Sequence, residues 1–434
     1  MSQSRAFVKS VIGVVAIGVL AGLSGCVPAP QSTPKPTAAP ESPSPDPSPD
    51  PYAGPVAFVG DELDWFLLSA EEISVLLPDV GEVSPAVPSL VQVSDGDGYE
   101  PKPSICRALF SESSLGSIGA RTVTWTSALP DVREGWLHVL QFADEAMATA
   151  HMDQYVEAAE QCREFDFGGA RSSFASSTAE GDGDVRAIAG SLILTYPEGG
   201  GFNLYKGYAS VGNVIVEVAQ PFLGEPAFDA EAAATLLRDR ASEARAALID
   251  ELTENPPVPT EPPAAADPAA AWSEWEITTE GVGPVRLGVE LDETIAAVPG
   301  ATVEAPEYVG GVTRLISADG SASLVLWTQE EGTIVSGVSV GSANVAGDRT
   351  HDGASLPSAG GVRVGDTVSA AASAFPEGTA LRIISSGEYF YQWSSREGVV
   401  MRFRLDRDST VDGAAVITGI TVEDATLAKS LVFG

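Results

Sequence analysis

The sequence is short of the residues that enzymes and metal sites draw on. It has three histidines in 434 residues, His138, His151 and His351, and none stands at a His-x-x-x-His or His-Glu-x-x-His spacing. The common zinc patterns are therefore excluded, and histidine-based nucleophilic catalysis has no support. No Walker-type loop is present, and no Gly-x-Gly-x-x-Gly opens a helix after a strand. Basic residues are also few: Lys and Arg number 24 against 60 Asp and Glu, a formal charge of −36. A chain so acidic is repelled by nucleic acid and by anionic lipid headgroups, and its charge serves solubility. Carboxylates are too many for a glycosidase-like pair to stand out. Aromatics make up only 7%, cysteines number three, and no run approaches ~18 apolar residues. We expect no catalytic residues, no metal, no cofactor and no nucleic-acid partner.

What is present begins with the first 26 residues. Arg5 and Lys9 form a short basic region, and residues 11–23 are an apolar run suited to a signal-peptide core. Leu23-Ser24-Gly25-Cys26 follows, which resembles a bacterial lipobox. The resemblance implies that residues 1–25 are removed and that the thiol of Cys26 carries a lipid. A plain secretory signal with a stray cysteine is the alternative. From 26 to 55 the chain is dense in proline, without hydrophobic periodicity, and favours extended polyproline II. At ~3.1 Å per residue such a tether reaches up to roughly 90 Å. A second Pro/Ala stretch, 253–271, separates two regions of globular composition. The expected layout is signal peptide 1–25, lipidated tether 26–55, domain one 56–252, linker 253–271 and domain two 272–434.

In domain one, Ser69 followed by Glu72 is a capping box opening a short helix that Pro78 stops. The surroundings of Cys106 read as loop. Alternation predicts strands over 121–127, 136–142, 185–194, 201–210 and 214–219, the last two joined by a turn at Gly212-Asn213. Residues 144–162 and 228–251 read as helices, with Ala148, Met152, Tyr155 and Ala159 on one face of the former. This order, with "FLLSAEEISVLL", "QFADEAMATAHMDQYVEAAEQC" and "VGNVIVEVA", resembles the extracellular sensor domain of PknH-type receptor kinases, found also on actinobacterial lipoproteins. The resemblance covers most of residues 60–250. It implies a mixed α/β fold on an antiparallel sheet, a cleft for a small ligand or cell-wall fragment, and disulfides. Those domains have two disulfides, and here only Cys106 and Cys162 remain for one. Outside the cytoplasm two such thiols should be oxidised together. Closing a loop of about 57 residues stabilises by ~4 kcal/mol in the chain-entropy description.

Domain two contains an internal repeat, about 277–345 and 358–434. Val285-Arg286-Leu287-Gly288 recurs as Val362-Arg363-Val364-Gly365, and "IVSGVSV" (334–340) matches "VITGITV" (416–422). Each copy reads as a strand, a glycine turn, a short helix (291–298; 368–375) and further strands, including 323–328 and 399–405. "VRVGDTVSAAASAFP" and "VRLGVELDETIAAVP" resemble the helix-on-sheet unit of the beta-lactamase-inhibitor-protein and outer-membrane-assembly-lipoprotein superfamily. Members of that group bind proteins or act as envelope scaffolds, which implies a protein partner here.

Two further sets of residues have a plainer structural reading. Acidic stretches at 94–100, 180–184 and 406–413 could offer oxygens to calcium, yet Asp and Gly there serve equally well as turn residues. The seven tryptophans could mark a carbohydrate surface, but their strand-like context points to core packing. The expected class is α+β: an antiparallel sheet with packed helices, then a two-repeat helix-plus-antiparallel-sheet module. The expected role is ligand sensing or binding without catalysis, at the outer face of the cell membrane. An envelope assembly scaffold or protein inhibitor is the alternative, and a carboxylate-based envelope hydrolase a more distant one.

Overall fold

The structure is a computed structural model that describes residues 51–93, 100–130, 132–258, 266–304, 311–328, 332–342 and 352–427. Cys26, the expected signal peptide and the tether up to residue 50 lie outside the described residues, as do His351 and most of the acidic stretch 94–100. Pro49–Gly434 form one compact unit, in which two lobes can be traced. The protein is α+β, with two large sheets that are antiparallel at all pairings but one.

The first lobe supplies β1 (Val80–Val83), β2 (Ser89–Gln92), β3 (Pro101–Lys102), β4 (Gly119–Ser127) and β5 (Gly135–Gln141). It continues with β6 (Phe165–Phe167), β7 (Ala170–Glu180), β8 (Arg186–Thr195), β9 (Gly201–Val211) and β10 (Val214–Pro221). All except β2 join one sheet in the order β1-β4-β5-β10-β9-β8-β7-β6-β3. Three helices flank it: α1 (Ala70–Leu76), α2 (Glu145–Gln161) and α3 (Ala230–Glu254). Ser69 caps α1 reciprocally with Glu72, and Asp144 and Asp229 cap α2 and α3 by accepting from Met147 and Ala232.

Strand alternation sorts the side chains onto two covered faces. Val214, Val216 and Val218 of β10 pack with Ala233, Leu237, Ala241 and Leu248 of α3, while Ile215 and Ala219 join Met152 and Tyr155 of α2. Each buried Leu on these faces contributes roughly 1.5–3 kcal/mol. The β9–β10 turn places Gly212 at φ +53°, where its amide reaches Asp184 Oδ2 at 2.5 Å. Asn213 beside it is buried and bonds Phe58 and Phe142 through its side chain. Several elements depart from expectation, the short strands β1, β2, β3 and β6 among them. Residues around Cys106 form a 3-10 turn, Ser104–Leu109, and Ala170–Glu180 is an eleven-residue strand that its Ser/Ala-rich sequence concealed.

The second lobe opens with a small sheet of β11 (Ile277–Thr278), β12 (Gly281–Val282) and β13 (Val285–Arg286). Then come α4 (Leu291–Ala296) and the meander β14 (Thr302–Glu304), β15 (Val312–Ile316), β16 (Ser323–Thr328) and β17 (Val335–Gly341). A second helix, α5 (Val368–Ala374), leads into β18 (Thr379–Ile383), β19 (Glu388–Ser394), β20 (Val399–Leu405) and β21 (Ile417–Asp424). The two meanders meet where β17 pairs β21, with Ser339 opposite Thr421 and their hydroxyl oxygens 2.7 Å apart.

The lobes are joined through a strand. β2 leaves the first lobe and lies parallel to β18 at the edge of the second sheet, Leu90 beside Leu381. Leu381, Ile383 and Phe390 of the second lobe pack into the core around α2. Arg396 adds a two-pronged ion pair to Glu62 (2.6 and 3.1 Å) and also bonds Ala57 O.

Candidate functional site

One buried polar cluster lies under α2. Residues standing side by side across the first sheet are Thr122, His138, Glu217 and Tyr208, on β4, β5, β10 and β9 in turn. Lys206, one pleat along β9 from Tyr208, sets its ammonium 3.4 Å from Glu217 Oε1 and donates to Leu109 O at 2.9 Å. Ser113 donates to Glu217 Oε2 at 2.5 Å, and His138 Nδ1 stands 3.7 Å from that oxygen. Burial pushes the Glu217 carboxyl upward, but Lys206, His138 and Ser113 together outweigh it and hold the group at about 2. Glu112 nearby moves the other way, raised by burial although Ser114 and the Val93 amide donate to it. The cluster fastens the turn carrying Cys106 to the sheet, since Leu109 ends that turn. Cys106 and Cys162 are joined, their Cα atoms 5.7 Å apart, which ties the same turn to the end of α2.

The other sequence candidates resolve separately. His151 is buried against Phe142, with ring centroids 4.7 Å apart, and burial lowers it to about 4. Asp184 accepts from Gly212 and pairs with Arg245 at 3.2 Å; in 406–413, Arg407 pairs with Asp406 and Asp412 while Asp408 closes a turn on Thr410. Among the described residues no cluster of three His, Cys, Asp or Glu has metal-holding geometry. No tryptophan is exposed: Trp125 and Trp275 are buried and the other five half-buried. One motif escapes a first reading. Gly337-Val338-Ser339-Val340-Gly341 has Gly-x-Ser-x-Gly spacing, but it lies inside β17 and not on a strand-to-helix turn. The Ser339 hydroxyl is taken up by Thr421 and by Trp327 Nε1 at 2.8 Å.

The site that sequence reasoning missed lies between the lobes. A cavity of about 260 Å³ is walled by Val59, Leu63, Gly119 and Gln141 on one side and by Thr379, Gln392, Trp393 and Ser394 on the other. Arg121, itself buried, positions the first wall: its guanidinium binds Gly60 O, Asp61 and Asp64 and so fixes the 3-10 turn Gly60–Phe66. Gly119 pairs with Gln141 at the ends of β4 and β5; a Cβ on Gly119 would stand 2.3 Å from Gln141 Oε1. Ser394 donates to that oxygen at 3.0 Å, and the Thr379 hydroxyl is taken up by the Ala120 backbone. Gln141 and Gln392 are both 1% exposed, yet Gln141 Nε2 and both amide atoms of Gln392 have no hydrogen-bond partner among the described residues. Buried polar atoms are nearly always matched, so three in two glutamines that flank one cavity stand out.

Two other hollows are better matched. One of about 320 Å³ shares Ile118 with the first and is bordered by Phe142, His151, Leu381 and Phe390; its Gln92 donates to Ser114 O at 2.7 Å. A larger one of about 640 Å³ on the second lobe holds Arg404, already bonded to Ser342 and paired with Glu388 at 3.2 Å.

No protein-family model and no curated protein matches the sequence. Among solved structures, the chain is similar to the extracellular domain of PknH from Mycobacterium tuberculosis, at 15% identity and a TM-score of 0.28. That likeness covers 46% of this chain and 98% of the other. A second similar structure is an uncharacterized protein of Mycobacterium smegmatis, the Rv0999 ortholog. There the identity is 16% and the TM-score 0.26, over 44% of this chain and 97% of that one.

Proposed function

We propose that the chain is a cell-envelope binding protein, held outside the membrane by a lipid on Cys26, that takes a small ligand between its lobes and does not turn it over. The observation that carries the binding role is the seam cavity, walled by residues of both lobes, Gln141 and Gln392 among them. Supporting the location are the order of basic region, apolar run and Cys26, and a disulfide that needs an oxidising compartment. The resemblance of the first lobe to extracellular sensor domains fits the same role. The second lobe contributes half of the site in this reading, and it keeps the proposed protein contact on its remaining surface.

The protein purified from its own envelope should carry a low-mass compound detectable by native mass spectrometry. A Gln141→Leu/Gln392→Leu double variant should lose it. The binding reading fails if no compound accompanies the unaltered protein and the low-mass fraction of the envelope leaves its melting temperature unmoved. The anchor is tested apart from this: the mature N-terminus should be an acylated Cys26, and Cys26→Ala should leave the membrane fraction.

A further inference from the structure

We infer that the hollow bordered by Phe142, Leu381 and Phe390 is a second binding site, which takes a single uncharged hydrocarbon chain of about ten carbons. It is separate from the cavity assigned above, and the inference does not rest on that assignment. Its walls are carbon from both lobes: Leu115, Phe142 and Met147 on one side, Leu381, Ile383 and Phe390 on the other. Leu115, Met147, Ile383 and Phe390 are only half-buried, so the fold leaves apolar surface open there. Hollows of this size lined mainly by apolar and aromatic side chains are the usual form of a small-molecule site.

The polar groups at this hollow are engaged within the protein. Gln92 Nε2 and the Ser117 hydroxyl both donate to Ser114 O at 2.7 Å. Arg402 is paired with Glu423, which leaves no net charge to select an ion. His151 lies against Phe142, and burial keeps it neutral above about pH 4. Water held here therefore finds few partners, whereas a bound water wants two to four. Replacing poorly bonded water with an apolar group is favourable, and that selects hydrocarbon over a sugar or an ion. At about 320 Å³ the hollow has the volume of roughly ten waters, and a methylene is close to a water in size.

The test titrates 1-hexanol, 1-octanol, 1-decanol and 1-dodecanol into the full chain by calorimetry. A fluorinated surfactant, whose chains do not mix with hydrocarbon, keeps the protein in solution. Affinity should rise about fourfold per methylene until the hollow is full, near decanol, and then level off. Met147→Trp, which fills the hollow, should weaken decanol binding about tenfold or more, and so should Ile383→Asn, which makes its wall polar. Melting temperatures check that both variants fold, and if either does not, the other variant and the alcohol series decide. No binding of decanol, an affinity that keeps climbing from decanol to dodecanol, or binding unchanged in the folded variants would overturn the assignment.

Discussion

Each of the two large sheets carries a polar row across its strands, and the rows match their buried groups differently: the first satisfies its carboxylate but leaves the Tyr208 hydroxyl without a hydrogen-bond partner among the described residues. In the first sheet, His138, Glu217 and Tyr208 stand in line, and Lys206, Ser113 and the sheet neighbours supply both oxygens of Glu217. In the second, Ser339, Thr421, Arg402, Gln392 and Thr379 stand in line; Arg402 is paired with Glu423, but the Gln392 amide has no hydrogen-bond partner among the described residues. The difference follows the cost of burial. An isolated charge in the interior costs several kcal/mol, so the charged row must be closed from within. A neutral amide left unmatched costs only about 1–3 kcal/mol, which a fold can tolerate.

The largest effect should come from opening the closed row. Lys206→Met leaves Glu217 buried without its cation and should cost about 3–5 kcal/mol in urea denaturation. Removing both charges, Lys206→Met with Glu217→Leu, should recover most of that loss, because well-packed apolar replacements of a buried pair are often neutral. A single-variant loss under about 1 kcal/mol would mean that the row does not hold the lobe.

Acid should open the same row without mutation. Glu217 titrates at about 2 in the fold against an ordinary 4.5, so its stabilisation is whole above 4.5 and disappears as pH falls toward 2. His151 is lowered to about 4 from 6.5, and its contribution disappears as pH falls from 6.5 through 4, because only the unfolded chain takes up the proton readily. At ~1.4 kcal/mol per pKa unit, each step is worth roughly 3 kcal/mol. The charged groups across the cavity from His151 are Arg402 and Glu423, which pair with each other. Denaturation midpoints between pH 8 and pH 3 should fall in two stages, and His151→Phe should remove the upper one. A flat profile from pH 7 to 4.5 would contradict the burial of a neutral imidazole.

How much of this was legible depends on range. The α+β class, the capped helix at Ser69, the helix under Cys162 and the turn at Gly212 rest on neighbours a few residues apart, and periodicity exposes those. The strand Ala170–Glu180 was hidden because Ser, Ala and Thr carry little alternation, although pairing with β8 from Arg171 to Glu180 fixes it. The candidate site was not legible at all. Gln141 and Gln392 are 251 positions apart, and what unites them is β2 crossing to pair with β18, a contact that no local pattern announces. The proline-rich stretch at 253–271 reads as a spacer, and from beyond it Leu381, Ile383 and Phe390 join the core around α2. Even so, a glutamine inside an otherwise apolar or aromatic strand, as in "YFYQWS", was a signal available beforehand.

The smallest effect, and the most diagnostic, concerns the open row. If Gln392 is kept for a ligand, then in the ligand-free protein its amide does no structural work, and Gln392→Leu should stay within about 1 kcal/mol of the parent or gain stability. That sign is opposite to Lys206→Met, although both substitutions replace a buried polar side chain with an apolar one of similar reach. Ligand should reverse the order, since binding to the native state alone adds stability to the parent and not to the variant. Melting temperatures of the two proteins should therefore cross when the envelope compound is added. A Gln392→Leu protein that is several kcal/mol less stable without ligand would instead place Gln392 among the residues that hold the lobes together.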